Sequence, residues 1–258
     1  MKIVYQRAVV HNPEGEFERA LVVHINSIKR PEVEVVFRGV EKAFTEGGEF
    51  DYNLLLTNAA PGGTLHRVVQ AKQEGYDAVM LGHPWDPILY EARQVVDIPV
   101  LGISETSMLV SCMLGRKFAI LAGLNKQAEM FERMIKTYGL EDRVACAQGM
   151  GLDIARLIKG LSEPDDIISH FTARAKEAID LGAEVIIPGS TILDLILSKN
   201  RISQIDDCLV LPSITTLVKI TEAMVELRKA GVKVSRKGLY SSPNKEIINK
   251  CLDLYGLT

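Results

Sequence analysis

Along the chain, short runs of wholly apolar residues alternate with longer stretches whose apolar positions recur every three to four residues. The first pattern belongs to strands buried on both faces, the second to amphipathic helices. Together they predict strands over 3–10, 33–37, 78–81, 98–103, 118–121, 143–147, 185–187 and 209–211. They predict helices over 17–28, 65–74, 127–138, 167–181, 214–230 and 245–254. A further apolar run at 53–57 is bounded by polar residues. Gly139, Gly182 and Gly231 each stand just past a predicted helix, where a residue free to turn left-handed stops the coil. Apolar strands separated by helices imply an α/β fold with parallel sheets covered on both faces. No stretch rich in Pro, Gly or Ser divides the chain.

One segment occurs twice. Gly75-Tyr-Asp-Ala-Val-Met-Leu-Gly82-His83 aligns without gaps on Gly182-Ala-Glu-Val-Ile-Ile-Pro-Gly189-Ser190. Each copy has a glycine after a helix, an acidic residue, an apolar strand, a second glycine and a polar residue. Each is followed by a helix and another apolar strand, at 98–103 and 209–211. A duplicated βαβ unit implies two similar lobes. Ligands of open parallel sheets sit beyond the carboxyl ends of the strands. The repeat therefore puts His83 and Ser190 at equivalent strand ends.

A chain of 258 residues accommodates one large domain or two small lobes. The net charge of −3, the lack of a Lys/Arg-rich run and an aromatic content of 6% argue against nucleic acid as a partner. The start, MKIVYQRAVV, is patterned like a strand rather than a signal peptide. No apolar run approaches the roughly 18 residues that span a bilayer. The expected location is the cytoplasm, with no membrane partner. Cys112, Cys146, Cys208 and Cys251 are scattered, and read as small hydrophobes rather than disulfides or metal ligands.

His83 reads as a general acid or base, or as an ordinary polar residue at a strand end. Ser190 reads as a hydrogen-bond donor to a developing oxyanion, as a nucleophile activated by His83, or as a helix N-cap. Thr191 shares its strand end. The stretch Asn58-Ala-Ala-Pro-Gly62-Gly63-Thr64 reads as a loop whose backbone N–H groups hold a carboxylate or imide oxygen, or as a plain connection. Trp85 walls the pocket or caps the core, and Asp86-Pro87 fits an N-cap with Pro at the first helical position. Ser104-Glu105-Thr106 and Thr215-Thr216 are equivalent under the repeat and follow strands, which makes Glu105, Thr106 and Thr216 candidate substrate contacts. Glu105 is the ionisable member, a candidate to orient His83. His24 and His170 fall within helices and read as surface or core residues. There is no Gly-x-x-x-x-Gly-Lys loop, no Gly-x-Gly-x-x-Gly after a strand and no paired histidine spacing for zinc, so neither metal nor cofactor is indicated.

The segments Gly75-Tyr-Asp-Ala-Val-Met-Leu-Gly-His-Pro-Trp-Asp-Pro87 and Val96-Asp-Ile-Pro-Val-Leu-Gly-Ile-Ser-Glu-Thr-Ser-Met108 carry a family likeness. So do Gly115-Arg-Lys-Phe-Ala-Ile-Leu and the second copy of the repeat. From about Gly75 to Leu227 the chain resembles the aspartate/glutamate/hydantoin racemase superfamily. His11-Asn12-Pro13 resembles the Asn-Pro turn after that family's first strand, which adds His11 and Asn12 to the candidate substrate contacts. The resemblance implies two pseudo-symmetric lobes with an active site between them, here drawn as 1–108 plus 212–258 and as 109–211. It also implies cofactor-free removal and return of a proton next to a carbonyl by two cysteines, and a homo-oligomer. In this chain His83 and Ser190 stand at those cysteine positions. A histidine can hold and release a proton near neutral pH; a serine hydroxyl needs a neighbouring base. The first expectation is an isomerase of racemase type on a small carboxylate, imide or hydantoin-like compound, with His83 as its acid/base. The alternatives are a hydrolase or lyase using Ser190 and His83, or a non-catalytic small-molecule binder.

Overall fold

The computed structural model describes residues 1–41 and 61–254. In chain order the elements are β1 (Lys2–Val10), α1 (Glu16–Ile28), β2 (Glu34–Val40), α2 (Pro61–Gln73), β3 (Ala78–Leu81), α3 (Leu89–Val95) and β4 (Val100–Gly102). Then follow α4 (Ile103–Leu114), β5 (Phe118–Ala122), α5 (Asn125–Tyr138), β6 (Val144–Gly149), α6 (Ile154–Lys159), α7 (Asp165–Asp180) and β7 (Val185–Pro188). The last are α8 (Thr191–Lys199), β8 (Gln204–Ile205), β9 (Cys208–Val210), α9 (Ser213–Lys229) and α10 (Lys245–Leu254).

These elements form an α/β fold of two units. The first gathers the described residues of Met1–His11, Ile28–Gly102 and Leu217–Thr258; the second gathers Asn12–Ser27 and Ile103–Thr216. The boundaries drawn from sequence differ from this at 12–27, at 103–108 and at 212–216, all of which fall with the second unit. The first sheet is ordered β2-β1-β3-β4, and all its pairs are parallel. The second is ordered β6-β5-β7-β9-β8, parallel except for the short β8–β9 edge pair. β3 and β7 are buried at every position, as expected of central parallel strands. In the first unit Val4, Val68, Val79, Leu81, Leu89 and Val100 form one apolar cluster.

The duplication is real at the level of hydrogen bonds. Gly75 and Gly182 both turn left-handed, with φ of 82° and 92°. The next residue in each copy donates back to its helix, Tyr76 to the Ala71 carbonyl and Ala183 to the Ala178 carbonyl, both at 3.0 Å. The acidic residue donates to the neighbouring strand, Asp77 to Lys2 at 2.8 Å and Glu184 to Lys117 at 2.9 Å. The second glycine does the same, Gly82 to Gln6 at 3.0 Å and Gly189 to Leu121 at 2.8 Å. β3 lies between β1 and β4 as β7 lies between β5 and β9.

Several expected boundaries shift for physical reasons. The predicted 98–103 strand is only three residues long, and Ile103 opens α4, which the periodicity did not single out. α4 buries Ile103 and Met108 yet exposes Leu109 and Met113, so no apolar stripe separates from a polar one. α2 starts at Pro61 rather than 65, because proline suits a first helical position. Asp86 is not an N-cap. α3 begins at Leu89, behind an Ile88 that is itself left-handed, with φ of 60° and no capping side chain. The run at 53–57 and Asn58 lie outside the described residues.

Glu222 on α9 ties the first unit together. Its fully buried side chain accepts from the Arg30 backbone N–H at 2.8 Å and meets Arg30 Nε and Lys219 Nζ at 3.3 Å. The two cations are nearly half exposed, so the ion pairs contribute little. The decisive term is the acceptor for the Arg30 N–H. Glu222→Ala is expected to lower stability by about 1–3 kcal/mol, read as a lower urea midpoint at unchanged m-value. Glu222→Gln keeps an acceptor and should lose less.

Candidate functional site

At the carboxyl end of β3 the chain reaches His83 through Gly82, and Tyr5 dictates that glycine. A Cβ on Gly82 would lie 2.1–2.3 Å from the Tyr5 ring and hydroxyl. The Tyr5 hydroxyl also donates to the Gly82 carbonyl at 3.3 Å. His83 is half-buried, and its Nδ1 accepts the Trp85 backbone N–H at 3.3 Å. That bond suits the neutral ring with its proton on Nε2, which then presents a donor. Action as a base at Nε2 requires the proton on Nδ1 and loss of this bond, at about 1 kcal/mol. Both roles are therefore open to the ring. Trp85 is buried, with its ring 6.3 Å from that of His83 and tilted by 55°.

The turn that follows is strained. Asp86 and Ile88 both have positive φ, 43° and 60°. An isoleucine there is a true outlier, since its branched Cβ crowds the carbonyl. Such strain, roughly 1–3 kcal/mol per residue, persists where surrounding structure enforces it, and it clusters at functional sites. Part of the enforcement is visible. The buried Asp86 carboxylate occupies the space over Gly102 at the end of β4, where a Cβ would come within 2.3–2.6 Å of it. Asp86 was thus underrated as a helix cap. It joins the ends of β3 and β4 beside His83.

At the end of β1, His11 is brought in by a similar close approach, because a Cβ on Gly39 would lie 2.3 Å from the His11 nitrogen. Burial, with Arg7 nearby, lowers the His11 pKa below the usual imidazole range. Gly62 and Gly63, expected in a loop, lie in the first turn of α2, with Gly63 against Val40. First-turn N–H groups lack intrahelical partners, so an acceptor can still be held there.

In the second unit, Ser190 follows Gly189 at the end of β7. It occupies the N-cap position of α8 with φ −148° and ψ 137°, but its hydroxyl makes no capping bond. The structure therefore withholds the plain capping role. Thr191 opens α8 and is half-buried. Asn12 accepts from Gly15 and donates its N–H to Glu18 at 2.9 Å, closing the entry to α1. Glu105 is half-buried and Thr106 buried in the first turns of α4. Thr216 donates to the Pro212 carbonyl at 2.9 Å within α9.

Sequence reasoning missed Asp194. It is fully buried on α8, and its two oxygens accept the N–H groups of Ser213 and Ile214, at 3.2 and 2.8 Å, at the start of α9. The signal was present, because a lone carboxylate inside Thr191-Ile-Leu-Asp-Leu-Ile-Leu must be buried with partners. Burial outweighs those two bonds and raises its pKa to about 7. The native state then binds more protons than the unfolded state between about pH 4 and 7, so this group's stabilisation is complete below that window and lost as pH rises through about 7. The change amounts to a few kcal/mol at most. Asp194→Asn should flatten the stability–pH profile across this window, as followed by thermal melts.

Comparison with known proteins places the chain. Residues 56–221 match the family described as Asp/Glu/Hydantoin racemase. The chain belongs to this family. Hydantoin racemase of Pseudomonas sp. (strain NS671) is 26% identical over 199 residues, 75% of either chain. That of Rhizobium meliloti is 25% identical over 181 residues, 70% of this chain and 72% of its own. Among solved structures, allantoin racemase from Klebsiella pneumoniae superposes with a TM-score of 0.78 at 20% identity, covering 95% of this chain and 94% of its own. Allantoin racemase from Pseudomonas fluorescens gives 0.79 at 20% identity, over 95% and 97%. These superpositions show a shared fold. The family match spans both copies of the repeat, so His83 and Ser190 fall inside the racemase domain. A racemase-type enzyme is what this membership makes of the chain.

Proposed function

We propose that this protein interconverts the enantiomers of a small hydantoin-like, imide or carboxylate compound by moving a proton at the carbon next to a carbonyl. The supporting observation is the racemase-family match across a duplicated βαβ unit whose two strand ends carry His83 and Ser190. His83 Nε2 takes the α-proton, and the electron pair moves onto the carbonyl oxygen as an enolate. A hydrogen-bond donor at that oxygen, where charge develops, lowers the barrier, and the uncapped hydroxyl of Ser190 has the chemistry for that role. Water protonates the planar carbon on the opposite face, the protonated His83 returns its proton to the hydroxide left behind, and at carbon only the C–H bond is broken and remade. The curated hydantoin racemase relatives favour a hydantoin-like ring. The first-turn N–H groups at Gly62 and Gly63 are suited to a ring carbonyl or carboxylate.

The test is incubation of enantiopure 5-substituted hydantoins, with small amino-acid carboxylates alongside, in deuterated water. Loss of optical rotation together with one deuterium at the α-carbon is expected. A new product mass without deuterium uptake in recovered substrate would establish a hydrolase or lyase instead. Ser190→Ala should lower kcat by about 100-fold or more if the hydroxyl stabilises the oxyanion.

A further inference from the structure

The second unit holds a cavity of about 220 Å³ that the reaction above does not use. His24 of α1, Asp194 and Leu197 of α8, Arg201 and Ile202 of the following turn, and Thr215 of α9 contribute to its wall. Arg201 is the unusual member. It is exposed just past the end of α8, and its left-handed φ of 59° closes that helix, with its N–H on the Ser198 carbonyl at 3.1 Å and the Ile202 N–H on the Leu197 carbonyl at 2.9 Å, a conformation that glycine or asparagine adopts at lower cost. Among the described residues no hydrogen bond or ion pair reaches its guanidinium. A planar fork of donors in the wall of this cavity is suited to a planar anion.

The other walls narrow the class. Leu197 and Ile202 offer apolar surface for a hydrophobic body. Both Asp194 oxygens are engaged by Ser213 and Ile214, so the carboxyl has no need of a ligand cation. Its place in the wall disfavours a multiply charged anion by repulsion. His24 Nε2 and Thr215 Oγ1 lie 3.2 Å apart and share one hydrogen bond, which leaves a hydroxyl able to meet a second ligand oxygen. Burial also lowers the His24 pKa, keeping that ring neutral near pH 7.

We infer that the second unit carries a binding pocket for a small monocarboxylate with a compact apolar body, its carboxylate paired with Arg201 and its body against Leu197 and Ile202. This site requires nothing of His83 or Ser190, so it stands or falls apart from the proposed reaction.

Isothermal calorimetry and thermal melts of the full chain with benzoate, benzamide and inorganic phosphate provide the test. Benzoate is expected to bind once per chain and raise the melting temperature. Benzamide, which lacks the charge, and phosphate, which lacks the apolar body, should bind at least about tenfold more weakly. Arg201→Gly removes the guanidinium where glycine suits the backbone, so the protein should keep its melting temperature and lose benzoate affinity by about tenfold or more. Arg201→Asn, another residue tolerant of this conformation, should do the same. The His83→Ala variant should bind benzoate like the parent. Undiminished benzoate binding in both Arg201 variants, equal binding of benzamide, or loss of binding in His83→Ala overturns the inference.

Discussion

His83→Ala is expected to lower kcat/KM by about 100- to 10,000-fold, the usual contribution of a positioned acid/base, with little change in melting temperature. The stability side follows from the position of the ring. His83 is half-buried at a strand end, and its Nδ1 accepts the Trp85 backbone N–H at 3.3 Å. Losing that contact costs about 1 kcal/mol or less. His83→Asn separates two roles of the ring. An asparagine oxygen can accept the Trp85 N–H and hold the turn, but it cannot take up a proton. If anchoring the turn were the whole role of His83, asparagine would restore activity. If proton transfer is the role, asparagine is as inactive as alanine, and solvent deuterium no longer enters the α-carbon. Activity that survives both substitutions would end the assignment.

What could be read from the sequence divides along physical lines. Central parallel strands are buried on both faces, so β3 and β7 stand out as apolar blocks, and the left-handed glycines Gly75 and Gly182 mark their approach. That combination makes the duplication legible in the sequence, and the same registers recur as hydrogen bonds. α4 was illegible because it buries one face while leaving Leu109 and Met113 exposed, so hydrophobic periodicity had no contrast to detect. The turn after His83 was misjudged for a different reason. Asp-Pro is a common helix opening, and nothing local announces that Asp86 and Ile88 will be forced to positive φ. That strain comes from tertiary structure, including the demand that the Asp86 carboxylate fill the space over Gly102. Asp194 was overlooked because its partners, the N–H groups of Ser213 and Ile214, are backbone atoms about twenty positions away. No side-chain pattern encodes them.

Gly82→Ala is expected to be among the most damaging single substitutions in the first unit, through one added methyl group. The φ of Gly82 is not among the positive values, so alanine meets no backbone penalty there and the cost is steric. The new Cβ would lie 2.1 Å from Tyr5 Cζ and 2.2 Å from Cε1. The ring has little freedom to retreat, since Tyr5 is fully buried and packs against Phe37 at 5.8 Å between centroids. Either the ring or the β3 end must move, at about 3 kcal/mol or somewhat more, the upper range for overpacking a core. If β3 gives way, His83 moves with it, and kcat falls along with stability. A double-mutant cycle identifies the obstacle. Tyr5→Ala is itself costly, about 3–5 kcal/mol, but within that background the extra methyl has room. The increment for Gly82→Ala should then shrink to well under 1 kcal/mol, a coupling of about 2 kcal/mol or more by urea titration. Equal increments in the two backgrounds would show that Tyr5 is not what keeps residue 82 a glycine.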